Sequence, residues 1–178
     1  LKTQNKGLAS VRAGNVIGGG DWANDRLIPD ILRSFDTNEP IMVRNPNATR
    51  PWQHVLEPLS GYLTLASKLY ENFEYFAEGW NFGPEENDVQ SVKWILDKMT
   101  AKWPNSSWRD DNNINPYEAG FLKLDISKSK EKLDWNPTWG LEHTIDRIIH
   151  WHRAWKNNED IQQLCFTEID NFTKDMNK

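Results

Sequence analysis

The sequence predicts a mixed α/β fold with short strands separated by helices, and three observations carry the prediction. Apolar residues recur at the helical period in several separate segments. Between them lie short runs rich in valine, isoleucine and tryptophan, bounded by Gly, Pro and Asn. The first such run, Leu8 to Ala13, opens straight into a Gly-rich loop. In α/β sheets that is where ligands bind, at the C-terminal end of a strand.

The elements follow in order. Leu8 to Ala13 reads as a short buried strand, followed by a loop from Gly14 to Asp25. Asn24 or Asp25 is placed to cap a helix running to about Phe35, with Pro29 tolerated near its first turn. Pro40 to Val43 reads as a second strand, and Arg44 to Pro51, with its Pro, Asn and Arg residues, as a loop. A helix starts at Leu56, with Leu56, Leu59, Leu63, Ala66, Leu69 and Phe73 as its apolar stripe and Gly61 off that stripe. Trp80 to Gly83 is a short strand ended by Gly83-Pro84. Ser91 caps the next helix, marked by Val92, Ile95, Leu96, Met99 and Trp103. Ser106 to Arg109 and Phe121 to Leu124 read as extended. Ser127 to Leu133 is a short helix stopped ahead of Trp135-Asn136-Pro137. The last clear helix spans about Leu141 to Trp155, with Ile145, Ile148, Ile149, His152 and Trp155 on one side. The tail from Asn157 is polar and gives no clear pattern.

With 178 residues the chain can bury a real core as one domain. Its net charge of −5 speaks against a nucleic-acid-binding surface. No apolar run reaches the ~18 residues of a membrane helix. The single cysteine, Cys165, excludes a disulfide framework within one chain and fits a reducing, cytoplasmic setting. Ten tryptophans are unusual; they point first to packing and only second to sugar stacking.

Catalytic motifs are missing. There is no G-x-G-x-x-G opening a βαβ unit, no phosphate-binding P-loop, no H-E-x-x-H and no G-x-S-x-G. Gly18-Gly19-Gly20 runs into Asp21-Trp22 and reads as a tight turn. His150 and His152 lie two apart on a helix and cannot share a metal. His54 and His143 read as structural, so no metal site is assigned.

The positive signal lies in three stretches that each join an extended segment to polar residues. They are Arg12 to Trp22, Arg50-Pro51-Trp52-Gln53-His54-Val55, and Asn115-Pro116-Tyr117-Glu118-Ala119. Arg50 is suited to a bidentate grip on phosphate, with Asn15 donating to an oxygen beside it. Glu118 is suited to accept from a pair of ribose hydroxyls. On residue type alone the plainer readings stand first: Arg50 as an ion-pair partner, Glu118 as a solvated charge, Asn15 as a turn residue.

These stretches resemble the extended short-chain dehydrogenase/reductase family, most closely its CDP-glucose 4,6-dehydratase branch. Ala13 to Asp30 looks like that branch's post-strand segment, and Arg50 to Tyr62 like its most distinctive run. Trp80-Asn81-Phe82-Gly83-Pro84, Lys123-Leu124-Asp125 and Leu133-Asp134-Trp135-Asn136-Pro137 follow in the right order. The likeness spans nearly the whole chain. Asp134 stands where glycine is common, and Asn115 where other branches place a second phosphate-binding arginine.

The resemblance implies the C-terminal part of such an enzyme: the end of a Rossmann-like parallel sheet, about residues 1–14 and parts of 50–84, with a small mixed α/β substrate-binding domain. It places the family's Gly-rich cofactor loop, Tyr-x-x-x-Lys pair and acid/base carboxylates ahead of residue 1. No catalytic residue is therefore assigned, and the chain is expected to be inactive by itself. The resemblance further implies CDP-glucose or a related nucleotide sugar as substrate, NAD as a recycled cofactor, and a homo-oligomer for the full-length protein. Carried over, Asn15 touches diphosphate or sugar, Arg26 and Leu27 line the nucleotide, Arg50 holds a phosphate and Glu118 the ribose. Backbone at Ala13 and Gly14 borders the nicotinamide. Two other readings stand beside it: a different sugar-nucleotide epimerase or dehydratase, and a non-catalytic carbohydrate-binding module built on tryptophans.

Overall fold

The computed structural model of the chain describes residues 6–111 and 120–178. Seven α-helices and seven strands are interspersed among these residues, and three small sheets hold the strands. Strand β1 (Ser10–Ala13) pairs in parallel with β5 (Gly79–Phe82). Strand β2 (Asn15–Ile17) pairs in parallel with β4 (Thr49–His54), whose early residues also pair antiparallel with β6 (Val89–Ser91). Strand β3 (Ile41–Val43) pairs in parallel with β7 (Trp108–Asp110).

Two apolar cores result. In the larger, helix α1 (Leu27–Thr37) brings Ile28, Ile31, Leu32 and Phe35, spaced as one helical face. Helix α4 (Val92–Ala101) adds Ile95, Leu96 and Met99, and helix α6 (Leu141–Lys156) adds Leu141, Ile145, Ile148 and Ile149. Strands β2, β3 and β4 close it with Ile17, Ile41, Val43 and Trp52. The smaller core joins Leu65 of α2 (Leu56–Glu71), Phe76 of the short helix α3 (Phe73–Phe76), Trp80 and Phe82 of β5, Leu133 of α5 (Ser127–Leu133), and the neighbouring Ile126 and Trp135.

Several boundaries have plain local causes. Ser91 caps α4, its side chain accepting from Trp94 N–H at 3.1 Å, as its sequence position predicts. Helix α5 ends on Asp134 in a left-handed conformation, φ 55°, so the aspartate occupies the position that favours glycine. Helix α1 starts differently from the sequence expectation: Arg26 is its N-cap with no side-chain cap bond, and neither Asn24 nor Asp25 fills that role. Asp25 instead turns the chain at φ 58°.

Other expectations need correction. Leu8 to Ala13 is not a buried strand: only residues 10–13 are extended, and Val11 is 41% exposed. Asn15–Ile17 and the first half of Thr49–His54 are strand where loops were expected at Gly14–Asp25 and Arg44–Pro51; β4 is buried on both faces and shows no alternation to read. Pro51 disguised it, because a proline inside a central strand, here in register with Val89 of β6, argues against reading a strand at all. The α2 stripe is also on the wrong side. Leu59 and Leu63 are exposed, and Glu57, Pro58, Gly61 and Leu65 are buried. A Cβ on Gly61 would sit 2.3 Å from the Phe82 ring, so the absence of a side chain is what lets α2 lie against β5. Phe121 makes one bridge to Thr49 and no strand. The polar tail forms α7 (Ile161–Met176), with Asp160 accepting from Gln163 N–H and Phe172 buried. Trp155 of α6 is exposed and packs on Trp22, ring centroids 4.5 Å apart.

Candidate functional site

The chain changes partners at Gly14. Ala13 is in register with Phe82 of β5, and two residues later Asn15 is in register with Trp52 of β4. Open α/β sheets bind ligands where neighbouring strands diverge in this way. A cleft of about 650 Å³ lies there, lined by β2, β3, β4 and the first turn of α1. That volume suits a nucleotide-sized ligand.

The cleft gathers most of the residues singled out in the sequence. Gly14, Asn15, Arg26, Leu27 and Arg50 all line it. Ala13 is one residue beyond its edge, in the last pair of the β1–β5 ladder. Glu118 and Asn115 lie outside the described residues. Sequence reasoning gave no role to Trp52, Met42 and Arg44, which also line the cleft. Trp52 stands in the same distinctive run as Arg50, but reading that run as a loop hid which side chains share a face.

Charge in the cleft is balanced and loosely held at the mouth. Arg26 pairs with Asp21 at 3.4 Å and Arg44 with Asp25 at 3.4 Å, both exposed contacts worth little in water. Those cations are therefore free to turn to an incoming anion at small cost. Arg50 is different: it is buried, with Nη1 donating to the Thr49 carbonyl at 3.0 Å. Trp52 is fixed by its indole N–H donating to the Gln90 carbonyl at 2.9 Å. The first turn of α1 lines the same space without a side-chain cap; Pro29 has no N–H and the Asp30 N–H donates to the Arg26 carbonyl at 3.0 Å, so the Leu27 and Ile28 N–H groups are the ones a ligand could use.

At the far end of β4 two titratable groups are buried. His54 is held neutral, its pKa pushed down to about 4 by burial and then by the positive charge of Arg147. Its Nδ1 accepts from Leu56 N–H at 3.3 Å, and its ring meets Trp139 edge-on. Glu57 is pushed up to about 7 by burial, although Thr138 N–H at 3.0 Å and Trp139 N–H at 2.6 Å donate to its carboxyl group and oppose that shift. These contacts clamp the Pro137–Trp139 turn onto the start of α2. On α6, His152 is buried against Asp36 at 3.0 Å, whereas His150 is exposed. Gly19 and Gly20 form a turn beneath the Trp151 ring, and Gly18 lies against Val55. Among the described residues no helix is long and apolar enough to cross a membrane.

No family model matches the chain. It is 55% identical over 167 residues to CDP-glucose 4,6-dehydratase of Salmonella typhimurium, a match that takes in 93% of this chain and 46% of that protein. Among solved structures it is similar to UDP-glucuronic acid 4-epimerase from Bacillus cereus in complex with UDP-glucuronic acid and NAD. The TM-score is 0.67 at 18% identity, covering 82% of this chain and 45% of the epimerase. A dTDP-glucose 4,6-dehydratase from Bacillus anthracis in complex with NAD gives 0.66 at 16%, covering 92% and 49%. The chain thus spans about half the length of the proteins it matches. The low-identity structures establish the fold, the one these sugar-nucleotide enzymes have over about half their length, and the 55% identity makes the chain a homologue of CDP-glucose 4,6-dehydratase over the 46% of that protein it matches.

Proposed function

We propose that this homologue of CDP-glucose 4,6-dehydratase grips the nucleotide end of CDP-glucose in the cleft at the β2–β4 junction. One observation carries the reading: Asn15, Arg26, Leu27 and Arg50, far apart in sequence, line a single cleft beside the Gly14 crossing. In this reading Arg50 holds a phosphate oxygen and Asn15 donates to the diphosphate or the sugar. Arg26 and Leu27 flank the nucleoside, and Glu118 accepts from the ribose. The uncapped first turn of α1 adds a positive end to the same space.

The whole enzyme would convert CDP-D-glucose to CDP-4-dehydro-6-deoxy-D-glucose and water. NAD, when bound, supplies a reversible acceptor for the hydride that leaves C4 and returns at C6. This chain's share is to bind and orient. Gly14 lines the cleft at the end of β1 and, with the Ala13 backbone, would border the nicotinamide. The greater part of the cofactor, with the acid and base groups, belongs to the half of the relatives' length that this chain does not span. In the domain plan proposed here, β1 and β5 extend that half's parallel sheet with α2 packed against β5, and the remaining elements form the substrate domain.

Replacing Arg50 in the full-length protein tests the assignment. Arg50→Ala loses a charge-assisted contact and weakens CDP binding by roughly 1.5 to 3 kcal/mol. Arg50→Lys keeps the charge, loses the fork and falls between. Inhibition by CDP that is the same in wild type and Arg50→Ala removes Arg50 from the site. Tighter competition by UDP or dTDP than by CDP replaces the substrate and keeps the fold.

A further inference from the structure

Gln53 lies on the cleft strand β4 but does not line the cleft. Its side chain is buried, and its Nε2 donates to the Phe82 carbonyl on β5 at 2.8 Å. The same carbonyl accepts from Gly14 N–H at 3.1 Å. Two donors from separate strands therefore meet one acceptor at the point where the chain leaves β1 for β2. The space is tight: a Cβ on Gly14 would stand 2.2 Å from the Pro51 carbonyl oxygen and 3.3 Å from Gln53 Nε2. Gln53 Oε1 is buried with no hydrogen-bond partner among the described residues.

Burying a primary amide with one end unpaired is costly, and a leucine or methionine would fill the same space without that cost. What the amide adds is direction. It is a side-chain contact from the β2–β4 sheet to the β1–β5 sheet, placed beside the backbone contact at Gly14.

We infer that Gln53 is a positioning residue: its amide ties β4, which carries Arg50 and Trp52, to β5 at the Gly14 crossing, and so fixes where the cleft stands relative to the β1–β5 pair. The functional consequence rests on the reading above. The described nucleotide contacts, Asn15, Arg26, Leu27 and Arg50, line the cleft, and the nicotinamide border lies at the end of β1. A hydride transfer spans the two, and small misplacements of reacting atoms cost rate far more than they cost binding.

The test uses the full-length protein with Gln53→Met, which keeps length and apolar volume but loses the donor. Gln53→Asn, which keeps the amide one methylene short, stands in if the methionine variant does not fold. Hydrogen exchange at the Gly14 amide accelerates by about tenfold or more, while amides of the β3–β7 pair keep their protection. The kcat for CDP-glucose falls by roughly tenfold to a hundredfold, with inhibition by CDP within about twofold of wild type, as expected when the cleft's own contacts are intact. Unchanged exchange at Gly14 overturns the inference, as does equal acceleration in every strand. Loss of CDP affinity in step with kcat also overturns it, since Gln53 would then be holding the cleft itself. If wild type is not inhibited by CDP, the proposed function fails, and the exchange at Gly14 still decides the role of Gln53.

Discussion

His54 and Glu57 stand three positions apart and both are buried, yet burial moves their titrations in opposite directions, past each other in pH. The His54 pKa falls to about 4, so it is neutral in the fold and takes up a proton more readily when unfolded. Its contribution is complete above about pH 6.5, the unfolded value, and is lost as pH falls toward 4. The Glu57 pKa rises to about 7, so the fold binds its proton more tightly than the unfolded chain does. Its contribution is complete below about pH 4.5 and is lost as pH rises toward 7. Between these limits the slopes are opposed and partly cancel. Single variants separate them. The stability difference between wild type and Glu57→Gln shrinks as pH rises from about 4.5 to 7, by on the order of 2 kcal/mol. The difference between wild type and His54→Asn grows as pH rises from about 4 to 6.5. Urea midpoints at four pH values measure both, and comparison with wild type in each buffer removes the slopes of the other carboxylates. A pH-independent difference for Glu57→Gln would mean that its two N–H donors fully offset burial, and one that grew with pH would mean that they outweigh it.

At the scale of elements, α2 shows what the sequence makes legible and what it hides. A helix beginning at Leu56 was readable from its apolar period, but two stripes compete on it. Leu59 and Leu63 are the more apolar set, and the structure leaves them 46% and 74% exposed. The buried set is Glu57, Pro58, Gly61 and Leu65, and no hydrophobicity scale ranks that face first. It is chosen by shape and by one buried carboxylate: Gly61 admits Phe82, and Glu57 reaches the Trp139 turn. The same blindness applies to the cleft. Arg50 and Asn15 were legible as phosphate-binding types, but not the strand β4 that brings Arg50 and Trp52 onto one cleft, because a strand buried on both faces carries no alternation. Nor did the sequence show Gln53 bridging two sheets, since that depends on β5 lying beside β1. The choice of face on α2 is measurable. In this chain Leu65→Ala costs about 2 to 5 kcal/mol, and Leu63→Ala changes stability by about 0.5 kcal/mol or less. Denaturant midpoints in the reverse order would return α2 to the face its leucines suggest.

The whole molecule divides its apolar surface unevenly, and that bears on what this chain does by itself. The larger core, under the cleft, is closed: Ile31, Ile95, Leu96, Met99, Ile145 and Ile148 are all fully buried. The side built on β1 and α2 is open. Strand β1 has one neighbour, β5, and leaves its other edge unpaired among the described residues, with Val11 exposed, and α2 turns Leu59 and Leu63 outward. Relatives about twice as long have chain to cover such a side, and in the proposed arrangement it receives the NAD-binding half, which is also where the acid and base groups stand. The cleft and the chemistry are then carried by different parts of one enzyme. The 178-residue chain, purified and supplied with NAD and CDP-glucose, is expected to give no 4-dehydro product, while the full-length protein does, read by mass spectrometry as a sugar nucleotide lighter by one water. Product formed by the 178-residue chain would place the acid, the base and the cofactor site within it, and the cleft residues would have to be reassigned from gripping the nucleotide to carrying out the reaction.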